Sequence, residues 1–157
     1  MLLTAAAALG LGLLVYLGDR PAGSAMLLPD AATLGHGPLF GAAGAWLPSF
    51  IHPFAFGLLS AAASRQRATP AYGAVAAWWV VDLAFELGQL PQLSAPLSQA
   101  LLALQSASLP LPPAQALSRY LVNGRFDTAD VLALSAGALA AAGVLRLLHR
   151  RETRHEH

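Results

Sequence analysis

The apolar residues of this chain come in four long runs, and the third of them carries ionisable groups. The membrane spans expected from these runs cover about 2–18, 49–64, 71–90 and 126–148. About 20 consecutive apolar residues cross a bilayer as a helix. The third run ends in Trp78-Trp79-Val80-Val81-Asp82-Leu83-Ala84-Phe85-Glu86-Leu87-Gly88-Gln89. Asp82, Glu86 and Gln89 are spaced i, i+4, i+7, which puts them in a stripe of roughly 60° on one helix face. Charged groups inside a bilayer are costly and need partners, water or a function.

Composition agrees with the membrane reading. Of 157 residues, 56% are hydrophobic and 11% charged, whereas soluble domains carry about 25% charged residues. The length suits one domain. A net charge of +1, with no basic patch outside the C-terminal tail, argues against a nucleic-acid partner. There is no cysteine, which excludes disulfides, a thiolate nucleophile and Cys-ligated metal.

Met1 to Leu17 is uncharged and apolar. No Lys or Arg precedes it, so it reads as a retained helix and not as a cleaved signal peptide, although Ala22-Gly23-Ser24-Ala25 offers small residues. Asp19-Arg20-Pro21 ends it. Residues 37–47 are apolar but short and read as a re-entrant or interfacial piece, or as extra length for the second span. Pro48-Ser49 reads as the start of that span, with Pro53 in its first turns. Pro91 ends the third span, and the proline-rich connection 91–125 is expected to hold one short interfacial helix over Leu97 to Leu109. Asp127 reads as the N-cap of the fourth span, with Asp130 as a capping-box-like partner. Residues 149–157 read as a polar cytoplasmic tail.

Arginines set the orientation. Arg65 and Arg67 fall in one loop, and Arg146, Arg150, Arg151 and Arg154 at the C-terminal end. Four spans place both groups on one side, the cytoplasm, with both termini inside. His52, Glu86 and Asp130 then lie at a similar depth in the outer third of the membrane, counted at about 1.5 Å per residue. The expected site is an outward-facing polar pocket of His52, Asp82, Glu86, Gln89, Arg125, Asp127 and Asp130.

Each residue also has a plain structural reading. His52 lies near a helix end, Asp127 and Asp130 suit caps, Asp82 suits interhelical hydrogen bonding, and Gln89 suits interface trim. Two carboxylates and an imidazole suit acid–base chemistry or a hard-metal site. No HExxH or nucleophile elbow is present, so no metal, cofactor or catalytic residue is assigned. Arg125 at the mouth suits a phosphate-bearing headgroup.

Several of these residues fall in a pattern that resembles the VanZ-like family. Glu86-Leu87-Gly88-Gln89 is similar to that family's E-x-x-Q on the third helix. Gly124-Arg125-Phe126-Asp127-Thr128-Ala129-Asp130 is similar to its G-R-x-x-x-x-D, and Ser135 to Ala140 to its small-residue last helix. Pro48 to Phe56 resembles its histidine-plus-aromatic segment. The likeness covers roughly residues 45 to 148. Two features depart from the family: Ala133, Leu134 and Ser135 stand where an asparagine is usual, and the connection between the third and fourth helices is longer. The resemblance implies an all-α, four-span protein of the bacterial inner (plasma) membrane. It also implies a cell-envelope role, since the family's named member is associated with glycopeptide antibiotic resistance. The expected partners are membrane lipids and a lipid-linked or headgroup-bearing envelope molecule. The alternative is a non-catalytic accessory subunit bound to a membrane-protein partner.

Overall fold

A computed structural model describes residues 1–19, 39–64, 68–106 and 113–155, and all of its regular structure is α-helix. In chain order the helices are α1 (Leu2–Asp19), α2 (Ala43–Ala63), α3 (Ala68–Gly88), α4 (Pro91–Ser106), α5 (Pro113–Asn123) and α6 (Thr128–His155). Three of them, α1, α2 and the Thr128–Arg150 part of α6, are long and apolar enough to cross a membrane. Helix α3 has 21 residues like α2, but Asp82, Glu86, Trp78, Trp79 and Tyr72 lower its hydropathy.

Helix α2 is the centre of the bundle and packs on α1, α3 and α6. Helix α3 also packs on α6, while α1 packs chiefly on α2 alone. Small residues dominate the shared core: Ala5, Ala55, Ala61, Ala71 and Ala141 are fully buried beside Ile51, Leu58, Val75 and Leu145. Small side chains let helix backbones approach, which is how helices gain packing in lipid, where hydrophobic burial contributes little. Gly12 lies against Ile51, Gly57 against Val75, and Gly137 against the backbone carbonyl of Phe50.

Helix α2 starts at Ala43, so the second span begins earlier than its prolines suggest. Residues 43–47 form its first turns and are not a separate re-entrant piece. Pro48 and Pro53 lie inside the helix and are buried. A proline removes its own bond to the carbonyl four residues earlier, which here frees the carbonyls of Gly44 and Ser49. Gly41, at φ 54°, makes the turn into α2. Asp19 at the end of α1 accepts the backbone N–H groups of Leu39 and Phe40, 2.5 and 2.9 Å away, and so ties the two helices together.

One expectation about the later chain is corrected. The 91–125 connection holds two helices packed as a hairpin, α4 and α5, and not one short helix. Pro91 and Pro113 each occupy a first helical position, where the missing N–H costs nothing. The Ser98 and Ser118 hydroxyls bond across the hairpin at 2.6 Å. Residues 149–155, read as a polar tail, continue α6 as helix. Arg20, Arg65 and Arg67 lie outside the described residues.

Candidate functional site

The start of α6 is joined to two other helices by polar contacts. Asp127 caps the helix: its Oδ1 accepts the Ala129 N–H at 2.9 Å. In a capping box the side chain three residues on would accept the N–H of the cap residue. Asp130 holds that position but does not do so. Glu86 of α3 takes its place, and its Oε1 accepts the Asp127 N–H at 2.8 Å. Asp130 Oδ1 instead accepts the Ser49 hydroxyl of α2 at 2.6 Å. One helix end is thus closed by α2 and α3 together.

Gln89, just beyond α3, is buried and hydrogen-bonded to the Tyr120 hydroxyl of α5. Its Oε1 sits where a Cβ on Gly124 would be, so this connection admits only glycine without rearrangement. The Tyr120 ring edge meets Phe85 at a centroid distance of 6.0 Å. Tyr120 is 39% exposed as a residue, and its hydroxyl is partly buried beside Gln89. Burial, with the Tyr16 phenol and the Glu86 carboxylate nearby, pushes that hydroxyl up to about 12, against the Gln89 bond. The folded chain therefore holds this proton more tightly than the unfolded chain, so stability falls as pH rises between the ordinary value of 10.0 and about 12. In an alkaline absorbance titration, the phenol missing from Tyr120→Phe is expected to have its midpoint near 12; a midpoint near 10 would contradict the burial of this hydroxyl.

A second polar contact lies deeper, between α2 and α3. His52 Nδ1 is 2.7 Å from Asp82 Oδ1. The distance is that of a hydrogen bond, but the alignment is not, and both His52 Nδ1 and Asp82 Oδ2 are buried without a hydrogen-bond partner. The pair is close yet incomplete. The His52 ring touches Phe56 and Trp78, with centroids 4.5 and 5.5 Å away. The Trp78 indole N–H donates to Ser60 Oγ at 2.9 Å. Trp78 thus packs between helices, while Trp79 donates to Ser135 of α6 at 3.1 Å.

Six of the seven expected residues fall into three groups. Glu86, Asp127 and Asp130 meet at the α6 start, His52 and Asp82 pair a turn or more deeper, and Gln89 joins the α4–α5 hairpin. Arg125 is exposed on the connection between α5 and α6 and makes no ion pair among the described residues. Ser49, Tyr120 and Phe56 join these groups beyond the residues the sequence points to. The histidine-plus-aromatic spacing held a signal for Phe56, four residues after His52. Ser49 and Tyr120 had none.

Among the described residues no group of three or more metal-capable side chains comes together. A cavity of about 360 Å³ opens between α3 and α6, lined by Tyr72, Val75, Trp79, Ser135, Ala138 and Leu139 among others, and contains none of the seven. The Ser49–Asp130 bond should show as a coupling of about 0.6–1.7 kcal/mol, the range for hydrogen bonds between helices in membranes. The measurement is a double-mutant cycle of Ser49→Ala and Asp130→Ala in denaturant unfolding, and a coupling of zero would contradict the bond. No protein-family model, curated protein or solved structure matches this chain.

Proposed function

We propose that the chain is a four-span, VanZ-like protein of the bacterial inner membrane, with both termini cytoplasmic. In this reading α3 is the third span in chain order, added to α1, α2 and α6, and the α4–α5 hairpin lies at the outer interface. The polar end of the bundle binds or acts on a lipid-linked or headgroup-bearing envelope molecule. One observation carries the reading: α2, α3 and α6 bring Ser49, Glu86, Asp127 and Asp130 into direct contact at one end, with Arg125 exposed beside them. Polar groups at this depth mark functional sites. A free guanidinium next to them supplies a fork for phosphate.

The test is to purify the protein from a bacterial membrane and to identify retained lipids by mass spectrometry, comparing it with Arg125→Ala. Retention of a subset of lipids that the variant loses is the expected result. Retained lipids that mirror the bulk membrane in both proteins would end the reading. The second reading, an accessory subunit, is favoured by one feature: α1 packs chiefly on α2 and leaves most of its surface uncovered. A stoichiometric membrane-protein partner in mild detergent would support it, and a lone monomer would count against it.

A further inference from the structure

The polar contacts of this bundle differ in whether they are complete, and that difference separates structural pairs from a binding site. Ser49 with Asp130, Glu86 with the Asp127 N–H, and Gln89 with Tyr120 are made hydrogen bonds. His52 with Asp82 is the exception: Asp82 Oδ2 and His52 Nδ1 are buried with no hydrogen-bond partner. An unsatisfied buried polar atom is destabilising, and more so where low dielectric surrounds it.

The surroundings of this pair open to one side. Helices α1 and α3 both flank α2, but α1 packs chiefly on α2 and not on α3. Counting the turns of α2, Ile51, Ala55 and Leu58 face α1 and Gly57 and Ala61 face α3 and α6, and all five are buried. His52, Phe56 and Leu59 lie on the arc between α1 and α3 and stay partly exposed. The His52 side chain is 44% exposed although its Nδ1 is enclosed, so the exposed part is the far edge of the ring, which carries Nε2. Asp82 lies six residues before Gly88, about 9 Å below the end of α3, within reach of the boundary between headgroups and acyl chains.

We propose that the gap between α1 and α3 is a side entrance for a phospholipid whose headgroup carries a primary ammonium, which turns the half-exposed His52 ring aside to reach the otherwise enclosed Asp82 Oδ2 and is held between the two. The inference deepens the headgroup-binding reading above and rests on it. The unpartnered carboxylate oxygen is an acceptor, so it selects a hydrogen-bond donor. The Glu86, Asp127 and Asp130 carboxylates lie toward the same end, which favours a cation over a headgroup with net negative charge. A quaternary ammonium lacks the N–H group that Asp82 Oδ2 requires.

The test uses the full chain in nanodiscs of equal parts phosphatidylethanolamine, phosphatidylcholine and phosphatidylglycerol, followed by gentle extraction and native mass spectrometry. The wild type should retain phosphatidylethanolamine over phosphatidylcholine by about ten-fold, the ratio expected for one charge-assisted hydrogen bond. Asp82→Asn and His52→Ala should each bring that ratio near unity while the protein elutes as a single species. Asp82→Asn keeps the side-chain volume, so a folding failure of His52→Ala leaves the test intact. Three results would overturn the proposal: preference for phosphatidylglycerol, equal retention of phosphatidylcholine, or a dimer whose contacts fill the gap with a helix of the second copy. Enrichment that survives both substitutions but is lost in Arg125→Ala would overturn this site and leave the headgroup reading standing. No enrichment in any variant would end both.

Discussion

Glu86→Ala should lose about 2–3 kcal/mol of stability in detergent unfolding, and Glu86→Gln under about 1 kcal/mol. The reason is the trans cap on α6. Glu86 Oε1 accepts the Asp127 N–H from a side chain that is 7% exposed. Alanine leaves that N–H without its partner, and an unmet donor near a buried junction costs about 1–3 kcal/mol. Glutamine keeps an oxygen at nearly the same place, so the junction persists without the charge. The pair of variants therefore separates two roles. Loss of lipid retention in Glu86→Gln with unchanged stability would assign the charge to binding. Equal destabilisation by both variants would contradict the hydrogen bond as the source of the effect.

Gly137→Ala should be the most damaging single methyl group that can be added to the bundle. A Cβ there would overlap the carbonyl of Phe50, which is backbone and has no rotamer to move. Helices α2 and α6 would have to separate, and overpacking of this kind costs about 1–3 kcal/mol or more. Gly137→Leu is expected to abolish accumulation of folded protein. Gly143 lies six residues further along the same helix and has nothing within 4 Å of its added Cβ. Gly143→Ala should be neutral or stabilising by up to about 1 kcal/mol, since alanine favours the helix. Similar melting temperatures for the two alanine variants would contradict the close approach of α2 and α6.

The apolar runs made most of the architecture legible, because membrane spans announce themselves by length and composition. The boundaries were less legible where proline intervened. Pro48 reads as a helix start by its local preference, but α2 begins at Ala43, where Gly44 lies against Asp19 at the end of α1. That extension moves His52 nine residues into its helix. The histidine then meets Asp82, a turn deeper than Glu86, and not the Glu86 level that the depth count indicated. The spacing of Asp82, Glu86 and Gln89 puts them on one helix face, but α3 ends at Gly88 and stands at a three-way junction. The three residues turn to α2, to the start of α6 and to α5 in that order. The sequence marks Asp130 as a capping partner, whereas its side chain bonds to Ser49, which carries no sequence pattern. The prolines at 110, 112 and 113 read as a loop, yet Pro113 opens α5 because the first helical position tolerates it.

The absence of cysteine makes the central claim, a polar bundle end that faces outward, directly testable. Single cysteines at Arg125 and at Ser64, which follow opposite ends of the bundle, would be probed in intact cells with a membrane-impermeant maleimide. Arg125→Cys should label in intact cells, and Ser64→Cys only after permeabilisation. The reverse pattern would put the polar end in the cytoplasm and contradict the claim.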